Sequence, residues 1–142
     1  MFDRLYPGMH WQDYRDVWPN AADSQFVHAG GIKWHVQIAG QGPCLLLLHG
    51  TGSGNFSWRA SLPTLSRHFK VVAPDLPGHV FSARGEGDHL SLQGMSDALI
   101  ALLKAINQTP TVIVGHSAGA AIAANMVLRE ARLSNAHLIG LN

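Results

Sequence analysis

One serine of this chain lies in a pentapeptide whose residue types could support nucleophilic catalysis. Residues 115–119 read Gly-His-Ser-Ala-Gly, with Ser117 at the centre, after the apolar run 111–114 and before the alanine-rich segment 120–129. A strand, a sharp turn that carries a serine, and a helix form a nucleophile elbow, which presents the hydroxyl free of its own backbone. The pattern predicts Ser117 as a nucleophile. The alternative is a glycine-flanked serine that only caps a helix.

A glycine-rich loop is the second motif with chemical meaning. Residues 49–54, His-Gly-Thr-Gly-Ser-Gly, directly follow the apolar run 44–48. Three glycines in five positions predict a backbone that bends tightly near a ligand. We expect the backbone N–H groups of Thr51 and Ala118 to bind the oxyanion that forms when a serine attacks an acyl carbon. A phosphate loop is disfavoured because Gly-x-Gly-x-x-Gly is not matched and no Walker lysine follows.

Further residues of the two motifs are expected to support this pocket. His49 and His116 fit the role of buried, hydrogen-bonded supports, and the two glycines that flank the serine leave room for strand and helix to approach. His79 ends the sequence Asp-Leu-Pro-Gly-His and is expected to line the pocket. The predicted supporting residues are His49, Gly50, Gly52, His79, Gly115, His116 and Gly119.

The remaining histidines do not suggest a metal or a catalytic base. Five of them show no spacing typical of metal ligands, namely His10, His28, His35, His68 and His89. We therefore expect no metal and no cofactor. His137 is the only histidine after Ser117. It begins a predicted strand and therefore lies at the opposite end of a parallel sheet from the serine, which makes it a poor base.

Composition describes an ordinary globular chain. Its 142 residues are 46% hydrophobic and 13% charged, enough for one domain with a real core. Ten Lys and Arg against nine Asp and Glu, scattered without blocks, offer no surface for nucleic acid or an anionic membrane. The single cysteine, Cys44, is expected to be a buried strand thiol. No signal peptide or membrane span is evident, so a cytoplasmic location and a small-molecule ligand are predicted.

Strands and helices alternate along most of the sequence. The expected strands are 25–28, 32–38, 44–49, 70–74, 111–115 and 137–141. The expected helices are 57–69, a segment from the capping Ser91 to Ile106, and 118–132. Paired glycines at 30 and 31 predict a hairpin. The predicted fold class is α/β: a mostly parallel, doubly wound sheet with an antiparallel N-terminal hairpin, formed by residues 25–142 behind an irregular aromatic arm, 1–24.

These motifs, in this order, resemble the N-terminal half of an α/β-hydrolase-fold protein. A closer likeness, to the magnesium-chelatase accessory proteins of bacteriochlorophyll biosynthesis, is carried by segments 18–20, 26–37, 45–52 and 115–121. The resemblance implies that Ser117 is the nucleophile, with Thr51 and Ala118 as the oxyanion hole. It also implies a ligand from the porphyrin pathway. An aspartate-nucleophile dehalogenase or epoxide hydrolase is disfavoured, because serine occupies the elbow.

The chain departs from the family pattern at two places. Val80 stands where related sequences have glycine, and a β-branched residue at positive φ would strain the loop and distort the pocket entrance. The chain ends at Asn142, 25 residues after Ser117, whereas the triad acid and histidine usually follow the serine. We therefore expect a protein truncated after the strand that follows the nucleophile helix, with weak hydrolysis or none. The alternatives are a non-catalytic porphyrin-pathway binding protein, or a truncated nonfunctional product that self-associates through an exposed sheet edge.

Overall fold

Six strands form one mixed sheet in the computed structural model, which describes residues 8–142. The strands are β1 (Ser24–Ala29), β2 (Ile32–Ala39), β3 (Cys44–Leu48), β4 (Lys70–Pro74), β5 (Val112–His116) and β6 (His137–Leu141). Their order across the sheet is β1-β2-β4-β3-β5-β6. Strands β1 and β2 pair antiparallel, as do β2 and β4, whereas β4, β3, β5 and β6 run parallel to one another. The predicted fold class is confirmed.

Within residues 8–142, four α-helices and three 3-10 turns accompany the sheet. The helices are α1 (Trp11–Tyr14), α2 (Leu62–Leu65), α3 (Leu92–Ala105) and α4 (Ala118–Arg129), and the 3-10 turns are Ala21–Asp23, Asn55–Trp58 and Ala131–Leu133. Helix α3 begins as predicted, because the Ser91 side chain accepts a hydrogen bond from Gly94 N at 2.9 Å. No helix among residues 8–142 is both long and apolar enough to cross a membrane.

Two predicted helices are shorter than their sequence suggested. The span 57–69 is not one helix: a 3-10 turn ends at Trp58, and α2 begins only at Leu62. Pro63 lies in the first turn of α2, where its missing N–H is tolerated, but it cannot continue a helix that began earlier. The helix expected to reach residue 132 ends at Arg129, because Glu130 has extended backbone and its carboxylate caps the next 3-10 turn.

The sheet buries its two faces unequally. Alternate residues of β3 point to opposite sides, so Leu46 and Leu48 join the large core beneath α3 and α4. Leu45 and Leu47 join a smaller cluster with Leu62 of α2. Cys44 is a buried free thiol, as expected, and burial raises its pKa to about 11. The cysteine is therefore not a nucleophile at neutral pH.

The N-terminal arm makes specific contacts with the sheet. Its first seven residues lie outside the described part of the chain. Trp18 donates its indole N–H to Asn55 Oδ1 at 3.3 Å, and Gln37 of β2 donates to the carbonyl of Pro19 at 2.7 Å. Trp11 packs against His35 with ring centroids 5.0 Å apart. The arm thus covers the polar side chains of His35 and Gln37, which share one face of β2.

Candidate active site

Ser117 occupies a strained turn between β5 and α4. Its φ of +52° and ψ of −116° lie in a region that L-residues rarely adopt. The backbone N–H of Ser117 donates to the Leu141 carbonyl of β6 at 2.9 Å, and its carbonyl accepts from Ala120 N at 2.9 Å. The side chain is left exposed at the carboxyl end of the parallel strands. This is the geometry that presents a serine hydroxyl to a substrate.

Two glycines make the turn sterically possible. A Cβ on Gly115 would overlap backbone atoms of Gly119 and Ala120, so strand and helix could not approach as they do. A Cβ on Gly119 would overlap the carbonyl oxygen of Leu48, at the end of β3. The helix therefore starts directly against the neighbouring parallel strand, and both glycines predicted as supports lie in the packing around the elbow.

The glycine-rich loop lies beside the elbow. A Cβ added to the buried Gly50 would be 3.4 Å from Ser117 Cβ and 3.1 Å from His116 Nδ1. The next residue, Thr51, is exposed. Within residues 8–142, neither Thr51 N–H nor Ala118 N–H has a hydrogen-bond acceptor outside its own helix or strand. Two free donors on the segments that meet at Ser117 are what an oxyanion site requires.

His49 supports the root of this loop. The imidazole is fully buried, donates from Nδ1 to the Gly50 carbonyl at 2.7 Å, and accepts at Nε2 from Leu76 N at 2.8 Å. Burial lowers its pKa, which keeps the ring neutral and able to accept. His49 is thus buried and hydrogen-bonded, as expected. His116 differs from this expectation, because its side chain is exposed. It is the last residue of β5 and pairs with Leu141 of the edge strand β6.

The loop after β4 reaches the glycine loop through His79. This half-buried side chain accepts a hydrogen bond at Nε2 from Gly52 N at 3.1 Å, and its Nδ1 lies 3.0 Å from the Pro77 carbonyl. The following residue, Val80, has a φ of +48°. A β-branched residue in the left-handed region costs about 1 to 2 kcal/mol. Val80 therefore has the positive φ at which backbone strain was expected from the sequence.

No general base is hydrogen-bonded to Ser117 Oγ within the described residues 8–142. The ring nitrogens of His35, His49, His79 and His89 bond to other groups, and none of the hydrogen bonds among residues 8–142 joins Ser117 Oγ to an imidazole or a carboxylate. In β6, Leu141 lies beside the elbow, whereas His137 lies four residues earlier and pairs with Val112. At about 3.3 Å per residue, His137 is therefore about 13 Å from the elbow. In the same part of the chain no three metal-ligating side chains cluster.

A buried polar network beneath the arm was not foreseen. His35 Nδ1 donates to Asp75 Oδ2 at 2.7 Å, with both side chains fully buried. The other carboxylate oxygen accepts from Asn55 N at 2.7 Å, and Ser24 Oγ lies 2.8 Å from His35 Nε2. The signal was present as a histidine between the apolar residues Trp34 and Val36 of β2 and an aspartate directly after the buried strand β4. Their pairing depends on β2 lying beside β4, which sequence spacing does not reveal.

The chain matches the family described as the Alpha/beta hydrolase family over residues 45–140. It is 40% identical over 113 residues to the magnesium-chelatase 30 kDa subunit of Rhodobacter capsulatus, a match covering 78% of this chain and 40% of that protein. It is 34% identical to 2-hydroxy-6-oxo-2,4-heptadienoate hydrolase of Pseudomonas putida, covering 78% and 41%. The solved structure of potato (Solanum tuberosum) epoxide hydrolase I superimposes with a TM-score of 0.72 at 28% identity, covering 82% and 38%. The chain thus spans about 40% of the length of these curated relatives.

Proposed function

Because the chain belongs to the Alpha/beta hydrolase family, we propose that it carries the nucleophile and oxyanion site of a serine hydrolase acting on an ester or similar acyl bond. The observation that supports this most directly is Ser117 at φ +52° between β5 and α4, with the glycine-rich loop against it. Serine, rather than aspartate, at the elbow favours acyl transfer over the epoxide chemistry of the potato structure.

In this proposal Ser117 Oγ attacks the acyl carbon and gives its proton to a base. The backbone N–H groups of Thr51 and Ala118 bind the oxyanion of the tetrahedral intermediate. The bond to the alcohol then breaks, and the alcohol leaves with a proton. Water attacks the acyl-serine, releases the carboxylic acid and restores the hydroxyl. Since residues 8–142 bring no imidazole to Ser117, the base comes from elsewhere in the assembled protein. We expect residues 1–142 alone to be weakly active or inactive.

Replacing Ser117 with alanine tests this assignment. In the protein produced from its native gene, S117A is expected to lower kcat/KM for an aryl ester by about 10³-fold or more, because the covalent route is lost. The matched control is Ser134→Ala, since Ser134 is exposed in the turn after the last 3-10 helix. Equal turnover by wild type and S117A would refute a nucleophilic role for Ser117.

A second candidate function is binding of a porphyrin-pathway compound without catalysis. The 40% identity to a magnesium-chelatase subunit favours it. An apolar hollow of about 570 Å³ offers a place for a flat ligand; its lining includes Tyr14, Val17, Trp18, Phe56 and Val80. Because a tryptophan lies in the wall, protoporphyrin should quench the intrinsic fluorescence. A flat titration would count against this candidate and leave the hydrolase proposal unaffected.

We also propose that the chain self-associates through β6. This strand ends the sheet, all five of its residues are exposed, and Ile139 and Leu141 continue an apolar groove of about 370 Å³ across the sheet face. Open apolar edges pair readily with a second copy. Sedimentation velocity should show a dimer that Ile139→Lys shifts to monomer. Leu128→Lys, at an 85% exposed position of α4, should not change the distribution; a wild-type monomer at all concentrations would contradict the proposal.

A further inference from the structure

Two histidines hold the glycine-rich loop and the loop after β4 together in a reciprocal arrangement. His49, at the root of the first loop, accepts at Nε2 from Leu76 N–H of the second, at 2.8 Å. His79 of the second loop accepts at Nε2 from Gly52 N–H of the first, at 3.1 Å. The two rings lie 5.1 Å apart. Each bond therefore requires a neutral imidazole with its hydrogen on Nδ1.

The Nδ1 contacts are consistent with that tautomer on both rings. His49 Nδ1 lies 2.7 Å from the carbonyl of Gly50, and His79 Nδ1 lies 3.0 Å from the carbonyl of Pro77. A carbonyl oxygen only accepts, so each Nδ1 carries the hydrogen and each Nε2 is left as an acceptor. Both rings are thus fixed by their own loop and bond to the other one.

The two halves of this pairing differ in exposure. His49 is fully buried, whereas His79 is half-buried. The loop tip that His79 holds is also closed by a turn bond from Ser53 N to the Gly50 carbonyl at 3.2 Å. Gly52 itself is exposed, has a φ of +75°, and has nothing within 4 Å of where a Cβ would be. A backbone amide with no packed side chain depends on its hydrogen bond for its position. His79 is the side chain that supplies it.

We propose that His79 is a positioning residue, which fixes the glycine-rich loop at Gly52 and thereby holds the adjacent Thr51 N–H toward Ser117. The inference rests on the proposed oxyanion role of Thr51. Loss of the acceptor at His79 Nε2 frees the tip of the loop. The effect on the site is indirect, because His79 acts on the donor's backbone and not on the reacting atoms.

Amide hydrogen exchange in the full chain, measured by NMR, tests the proposal without needing activity. His79→Leu removes the acceptor at similar size and should speed exchange at Gly52, whose N–H it bonds, about tenfold. His79→Gln offers an oxygen acceptor and should restore most of the protection.

A histidine with the same kind of bond elsewhere provides the matched control. His89 Nδ1 accepts from Glu86 N at 2.7 Å in another loop, so His89→Leu should leave Gly52 and Thr51 unchanged. Unchanged exchange at Gly52 in H79L, or no recovery of protection in H79Q, would overturn the proposal. These readouts do not involve the hydroxyl of Ser117. An unreactive Ser117 with the expected exchange results would refute the hydrolase and leave the positioning role standing.

Discussion

Gly119→Ala is expected to destabilise the chain by about 3 kcal/mol, although alanine is the better helix former by about 1 kcal/mol. The added Cβ would overlap the carbonyl oxygen of Leu48 and lie 2.8 Å from that of His49. Both oxygens belong to buried backbone at the end of β3, which cannot swing aside as the tip of a side chain could. The steric cost therefore exceeds the gain in helix propensity, and α4 must shift away from the sheet.

Urea unfolding followed by tryptophan fluorescence measures this effect. The control is Gly140→Ala in β6, where the new Cβ would meet only the Ala120 side chain at an ordinary 3.6 Å. G140A should keep the wild-type midpoint within experimental error, while G119A should unfold at much lower urea. Equal midpoints for the two variants would show that helix and strand are not packed as closely as described.

Asp75→Ala is the second substitution with a large expected cost, about 3 to 5 kcal/mol. The carboxylate is fully buried and accepts from His35 Nδ1 and Asn55 N, both at 2.7 Å. Its removal leaves two buried donors without an acceptor, and an unmade buried hydrogen bond costs the desolvation of each group. The effect should also reach the aromatic arm, because Asn55 accepts the indole N–H of Trp18.

A surface pair provides the comparison for Asp75. Arg129 binds Asp97 with two bonds of 2.9 and 3.0 Å, but the Asp97 side chain is 57% exposed, so Asp97→Ala should cost about 1 kcal/mol or less. If Asp75→Ala does not fold, Asp75→Asn keeps one acceptor oxygen and should fall between the two. A cost for Asp75→Asn no greater than that for Asp97→Ala would refute the network.

The strands and the elbow that are encoded by a short run of neighbouring residues could be predicted from the sequence. The continuous apolar runs gave β4 and β6 at their observed bounds, 70–74 and 137–141. Such runs are typical of strands in a parallel sheet, and β4 is mostly buried as that pattern implies, whereas β6 is the edge strand and its five residues are exposed. The elbow was recognisable because the residue types themselves impose the turn. The sequence also showed a valine where related sequences have glycine, and Val80 has a positive φ of +48°, the conformation that favours glycine.

Contacts between distant segments could not be read in the same way. His35 and Asp75 are 40 residues apart and meet only because β2 inserts beside β4. His79 could be placed near the pocket, but its bond to Gly52 depends on how two loops cross at the ends of neighbouring strands. The prediction of one helix over 57–69 was wrong for a local reason. Pro63 is compatible with the first turn of a helix but not with the interior of one that began earlier.

The central claim, that Ser117 is a presented nucleophile, is tested most directly by a fluorophosphonate probe on the protein from its native source. Intact mass before and after labelling, with peptide mapping, should show one adduct on Ser117 that is lost in S117A. We expect it on a species heavier than 15.3 kDa, the mass of residues 1–142, since in the proposed mechanism the base lies outside the described residues. No adduct, or one on another residue, would mean that the elbow is architecture without an active nucleophile.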